Sequence, residues 1–211
     1  MAQIVVGALL AVGFCIVGLG ALLPRDWRVE ESILINAPAP VVHAWVGDLQ
    51  RWPRWAQWNQ AALWPKNQVS DPSTGVGATL RWYGRAPSDD ELQSGEVRIV
   101  RSDPQRGVWF ENRIQNHAPS QASVTYSERA GVTQVTWQDR GQLPLIVGGL
   151  FRDLFQKRLR EHMVSGLERL HDLVGASSNT DRPAPSSGPE RPDAGSSAPR
   201  TPQLPDAGAL P

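Results

Sequence analysis

The sequence predicts an α+β domain over residues 25–174, with about six antiparallel strands, two short helices after the first strand and a long C-terminal helix. Three observations carry that expectation. Between residues 92 and 139, β-rich segments are separated only by short turn-like gaps, as in an antiparallel meander. Phe155, Leu159, Met163, Gly166, Leu170 and Leu173 recur at helical spacing, which lays one apolar stripe along a helix. Ala37-Pro38-Ala39-Pro40 halts the first β-rich run, and proline suits the first turn of the helix that follows.

Taken in order, residues 27–36 (WRVEESILIN) have the β-branched, apolar pattern of a strand. Val41, Val42, Ala44, Trp45 and Val46 then follow at helical spacing, giving a short helix to about Leu49. Trp52, Trp55 and Trp58 recur every third residue, so one helical turn would set them on a similar face. After a polar loop, residues 77–84, 92–101, 106–116, 121–128 and 132–139 read as strands. Val124 and Tyr126 share one face, and Thr133, Val135 and Trp137 form another alternating set. The last helix is expected over 149–174, with Arg152, Asp153, Lys157, Arg160, Glu161 and Glu168 mostly on its polar side.

The flanks differ in composition. Residues 2–23 carry no charge; at about 1.5 Å per residue a helix of that length crosses a hydrocarbon core of about 30 Å. The expectation is a single-pass membrane anchor. The alternative is a cleaved signal peptide, which requires a basic n-region and a shorter apolar core. Arg25 and Arg28 follow the segment and no basic residue precedes it, so the positive-inside rule leans toward a cytoplasmic domain. Residues 175–211 hold eight prolines, six serines and no aromatic residue. Such a stretch cannot bury enough apolar surface to offset its chain entropy and is expected to be a disordered tail.

Equal numbers of acidic and basic residues give zero net charge, which makes the chain a poor candidate for nucleic-acid binding through a basic stripe. A single cysteine, Cys15, excludes a disulfide framework and a cysteine-rich zinc site. There is no GxSxG elbow, HExxH, P-loop lysine or CxxC motif. The four histidines (His43, His117, His162 and His171) have no metal spacing. No metal and no cofactor are expected.

The motifs, taken with the element order, resemble the START-like (SRPBCC, helix-grip) superfamily, and within it bacterial polyketide cyclase/dehydrase-like members. Leu23-Pro24 followed by Val29, Ser32, Ile33, Ile35, Asn36, Ala37 and Pro38 resembles their opening. Asp48, Trp52-Pro53, Trp55 and Trp58 resemble the segment after the first helix. Gly75-Val76-Gly77-Ala78 to Trp82 and Gly84 resembles the second-strand entry. Val132-Thr133, Val135-Thr136-Trp137 and Gly166-Leu167 with Leu170 resemble the last strand and helix. The resemblance covers residues 23–174 and implies a curved antiparallel sheet gripping the last helix around a mostly apolar cavity. It also implies lipids, sterols, polyketides or other hydrophobic ligands. Some members are enzymes and others act on partner proteins, so the fold alone transfers no activity.

The residues proposed to line such a cavity are Trp82, Trp109, Glu111, Arg113, Trp137, Phe155, Leu159 and His162. Glu111 and Arg113 share strand parity with Trp109; either they point inward as a mutually satisfied anchor for a head group, or they are solvated. His162 stands at the edge of the apolar stripe, as an acid/base, a polar anchor or a packed flank residue. Trp52, Trp55, Trp58 and Trp64 read as an aromatic lid or membrane-interface belt, or as packing of the short helices. Gly75-Val76-Gly77 reads as a loop near the cavity mouth or a plain turn. With no nucleophile–base–orienter set in view, the expected function is membrane-anchored binding of a hydrophobic small molecule or lipid. A cyclase- or dehydratase-like enzyme and a protein-interaction module like the chaperone-ATPase activators are the rivals.

Overall fold

Period-two burial defines the sheet. The computed structural model describes residues 4–7, 13–14, 18, 20, 22–56, 66–85, 92–115, 117–145 and 148–180. Its strands are β1 (Asp26–Ile35), β2 (Lys66–Val69), β3 (Thr79–Arg85), β4 (Leu92–Asp103), β5 (Gly107–Ile114), β6 (Ser120–Arg129) and β7 (Val132–Gln142). They form one antiparallel seven-stranded sheet in the order β1-β7-β6-β5-β4-β3-β2. The helices are α1 (Ala39–Val46), α2 (Trp52–Trp55) and α3 (Gly148–Thr180). This is the α+β helix-grip arrangement that the sequence predicts.

Two boundaries differ from expectation. The strand β2 lies in what reads as a polar loop, because KNQV has a single apolar residue to show against the period-two template. The helix α3 runs past Val174 to Thr180, into the stretch whose composition reads as tail. The remainder of that stretch, 181–211, lies outside the described residues, as does most of 2–23. Among the described residues no helix is long and apolar enough to cross a membrane, so the expected anchor has no support from the fold.

The inner face of the sheet meets the helices. Val29, Ile35, Val97, Ile99, Val108, Phe110, Val124, Val135 and Trp137 are all buried there. Pro38 stands before α1 in extended conformation, and the free N–H of Ala39 finds Glu128 Oε2 at 2.8 Å. Burial of Val42, Trp45 and Val46 seats α1 on the core. The Trp52 indole N–H donates to the Val46 carbonyl at 2.8 Å, locking α2 to α1. Trp52 then meets Phe110 at a centroid distance of 4.9 Å, and Trp55 meets Trp137 at 5.5 Å, both edge to face. Gly166 lets α3 close on this cluster, since a Cβ there would sit 2.9 Å from the Trp137 ring. Met163, Leu167, Leu170 and Val174 complete the packed face of α3.

Candidate functional site

The inner face has two unlike ends. Around α1, α2 and the second half of α3 it is filled by Trp52, Trp55, Trp137, Met163, Leu167 and Leu170. Toward the start of β1 and the end of β7 it changes character. There the Trp27 ring lies over Gly141 and meets Phe155 edge to face at 5.0 Å. Phe155 is 36% exposed there, while Leu150, Phe151 and Leu154 are exposed on the sides of α3 turned away from Met163. Partial cover at Phe155 and Leu159 is where an apolar occupant could sit against the sheet.

At this end the apolar wall is broken by three polar side chains from adjacent strands. Alternation from Phe110 brings Asn112 inward, and alternation from Trp137 brings Asp139 inward. They are 3% and 2% exposed. The Asn112 amide donates to Asp139 Oδ2 at 3.2 Å and to Ser120 Oγ at 3.2 Å. Asn112 Oδ1 and Asp139 Oδ1 are buried with no hydrogen-bond partner among the described residues. Burial raises the Asp139 carboxyl to a pKa of about 7, opposed in part by Ser120, the Arg140 backbone and Asn112. A carboxyl so placed changes protonation near neutral pH.

Ser120 joins this cluster to the outside. It also lines an open pocket of about 690 Å³ at the strand ends, with Trp27, Gly141, Glu111, Arg113 and Arg140. Elsewhere, His43 on α1 reaches Tyr126 Oη through Nδ1 and Ser102 Oγ through Nε2, each at 3.3 Å. Burial holds the His43 pKa below its ordinary value, with Asp103 opposing, and pushes the Tyr126 phenol up. This network ties α1 to β4 and β6 beside a small pocket formed with Thr74 and Gly75.

The expected lining residues fall into three places. Trp82 and Trp137 are buried on the inner face; the Trp82 ring covers Gly95, whose missing side chain makes room for it. Phe155 and Leu159 face the core from α3, half-exposed and partly buried respectively. His162 packs edge to face on Trp137 at 5.8 Å. Burial lowers its pKa, and the Ala56 backbone opposes that. It belongs to the filled end.

Trp109, Glu111 and Arg113 take the other face. Trp109 stacks under Arg101, 4.4 Å from the ring centroid. Glu111 and Arg113 pair with each other at 3.3 Å while remaining solvent-accessible. The inward placement of the pair is thus corrected: Phe110 and Asn112 have the inward parity of β5, so their neighbours point out. Trp52 and Trp55 are fully buried packing residues, while Trp58 and Trp64 lie outside the described residues. Gly75 and Gly77 both have positive φ in the turn before β3. Among the described residues no group of side chains could hold a metal ion.

The sequence reading missed Asn112, Ser120, Asp139 and Trp27. The signal was present for two of them. Asn112 follows Phe110, and Asp139 follows Trp137, at the same strand parity as the apolar residues.

Comparison with known proteins now decides the family. Residues 26–175 match the family described as polyketide cyclase / dehydrase and lipid transport. The chain belongs to that family. No curated protein matches the sequence. Among solved structures, this polyketide cyclase/dehydrase-family chain is similar to a protein of Thermus thermophilus, with 21% identity and a TM-score of 0.55 over 72% of this chain and 99% of that one. It is similar to a Chromobacterium violaceum protein, with 13% identity and a TM-score of 0.50 over 72% and 98% of the two chains. The di-domain aromatase/cyclase StfQ of the steffimycin biosynthetic pathway gives 6% identity and a TM-score of 0.56, over 74% of this chain and 52% of that one. At these identities the family member shares a fold with them.

Proposed function

We propose that this domain binds an apolar small molecule or lipid between the inner face of the sheet and the first half of α3. The observation that carries the reading is the asymmetry of that helix. Met163, Leu167 and Leu170 are sealed against the tryptophan cluster, whereas Phe155, at the edge of the same stripe and edge to face with Trp27, keeps 36% of its surface exposed. The family, whose description includes lipid transport, supports ligand binding or cyclase-like chemistry at such a face.

The test is Nile red fluorescence with the full-length chain, together with native mass spectrometry for a co-purifying lipid. Bright, saturable binding is expected. Leu159→Ala should alter probe affinity while changing the melting temperature little. A large stability loss without any probe binding would instead indicate a filled core and an interaction module.

A second reading is enzymatic, and one observation favours it: Asp139 is buried with a pKa raised to about 7, where a carboxyl serves as general acid or base. The solved neighbour StfQ is a di-domain aromatase/cyclase. Conversion of a bound polyketone that stops in Asp139→Asn while binding persists would establish this reading. Tethering to a membrane, with the domain on the cytoplasmic side, is part of the proposal and rests on the uncharged segment 2–23 and on Arg25 and Arg28. Deleting that segment should release a soluble folded domain. A mature N-terminus near Ala21 would show a cleaved leader instead.

A further inference from the structure

The start of α3 carries apolar surface that the described fold leaves open. A turn closed by the Gly148 N–H, which donates to the Pro144 carbonyl at 2.9 Å, hands the chain from β7 to α3. Leu145 in that turn is 56% exposed, and on α3 Leu150, Phe151 and Leu154 are 41%, 56% and 54% exposed. At 3.6 residues per turn these three helical side chains stand together, on the side away from Met163. A lone exposed leucine needs no explanation, whereas neighbouring large apolar side chains form a patch. The uncharged segment 2–23 ends at the same place. A Cβ on Gly149 would sit 2.6 Å from Leu23 Cβ and 3.3 Å from the Gly20 carbonyl oxygen, and Leu22 between them is exposed. Charge is lopsided here too: residues 148–160 hold Arg152, Lys157, Arg158 and Arg160 against Asp153 alone. Lys157 and Arg158 are exposed and follow Leu154 at the spacing of the next turn.

We propose that Leu145, Leu150, Phe151 and Leu154 dock into the surface of an anionic lipid bilayer, with Lys157 and Arg158 at its head groups. This goes beyond the tether, because the contact is made by the folded domain itself, and it is independent of what the inner face binds. Two features point to a bilayer rather than to a second copy of the chain. The patch stands out from a helix instead of lining a groove, as an interfacial helix does, with apolar side chains below and basic ones beside them. The long stems of Lys157 and Arg158 can lie along the apolar region while their charges stay at the phosphate level. The patch is also continuous, through Gly149, Gly20 and Leu23, with a segment whose uncharged length suits hydrocarbon. Phe155 follows Leu154 directly, so docking sets the partly covered end of the inner face next to lipid.

The experiment uses the full-length chain with Cys15→Ser, reconstituted into vesicles of phosphatidylcholine and phosphatidylglycerol. A nitrobenzoxadiazole fluorophore is attached at one of three sites: Leu154→Cys in the patch, Phe14→Cys in the uncharged segment, or Leu34→Cys, which is 64% exposed on the outer face of β1. Nitroxide-labelled lipid reports contact with the bilayer, and iodide reports contact with water. The label at Leu154 should be quenched by nitroxide lipid, shift its emission to the blue and lose its iodide quenching, while the label at Leu34 stays open to iodide. Leaving out phosphatidylglycerol should restore iodide quenching at Leu154, because Lys157 and Arg158 lose their head-group partners. Phe151→Cys is the second site should Leu154→Cys fail to fold, with the same expected result. If the label at Leu154 is as open to iodide as the one at Leu34, docking is overturned. Nitroxide quenching at Phe14 in the same vesicles would then leave the tether standing, and its absence would remove the tether as well. If the label at Leu154 is shielded from both quenchers, protein covers the patch and the bilayer is overturned as its occupant. If the shielding is unchanged without phosphatidylglycerol, the preference for anionic lipid is overturned.

Discussion

The two ends of the inner face are built from one sheet and one helix, yet they meet opposite demands. At the closed end, Trp55, Trp137, His162, Gly166 and Met163 interlock, and the apolar face of α3 is lost from solvent. At the open end, the same helix face continues as Leu159 and Phe155, which are only partly covered among the described residues. There the sheet supplies Asn112 and Asp139 in place of aliphatic side chains. Stability is concentrated where packing is complete. The open end keeps apolar surface uncovered and acceptors unpaired, which costs stability and leaves room for an interaction.

That contrast breaks most visibly under truncation. Trp137→Ala should cost about 3–5 kcal/mol by urea unfolding, as expected for deleting a large aromatic from a packed core. Phe155→Ala should cost about 1–2 kcal/mol, because over a third of its surface is already exposed. Equal losses at the two positions would show that the first half of α3 is as tightly packed as the second.

The two ends should also respond to pH in opposite directions. Asp139 binds its proton more tightly folded than unfolded, with its pKa raised from 3.8 to about 7. Its contribution to stability is therefore greatest below pH 4 and declines as pH rises toward 7. The neighbours that face it are Asn112, Ser120 and the Arg140 backbone. In Asp139→Asn that decline should vanish from the stability-versus-pH curve measured by urea unfolding at pH 4, 5.5 and 7. An unchanged slope would mean that the carboxyl is solvated.

His162 has the reverse sign. Burial against Trp137 lowers its pKa below 6.5, so the folded state holds fewer protons than the unfolded one. Its contribution is complete above pH 6.5 and is lost as pH falls through the lowered folded value. His162→Gln should remove this acid-side loss, and NMR titration of the imidazole should show the lowered midpoint directly. The smallest effect belongs to the outer face. Glu111→Gln and Arg113→Gln should each shift stability by no more than about 0.5 kcal/mol, since the pair is solvent-accessible.

Periodicity made most of the fold legible. The meander from β4 to β7 and the stripe through Met163, Gly166 and Leu170 follow from patterns of two and 3.6. The strand β2 was not legible because four residues with one apolar side chain carry no alternation. The site was read less well. Trp82, Trp137, Phe155 and Leu159 do face the interior, whereas Trp109, Glu111 and Arg113 were set on the wrong face of β5. Polar residues at apolar parity, Asn112 and Asp139, were the better guide.

By itself, the sequence determined the order of the long elements and the family, because these depend on local spacing along one chain; β2 and the inward parity of β5 were not read from it. Only the tertiary structure decided which polar residues meet. Asn112, Ser120 and Asp139 come together through the pairing of β5 with β6 and of β6 with β7. The distance between Asn112 and Asp139 is set by strand register rather than by anything local to either residue. The same holds for α3, whose one stripe is closed at Met163 and open at Phe155. How far a helix face is covered depends on what the sheet and the short helices place opposite it.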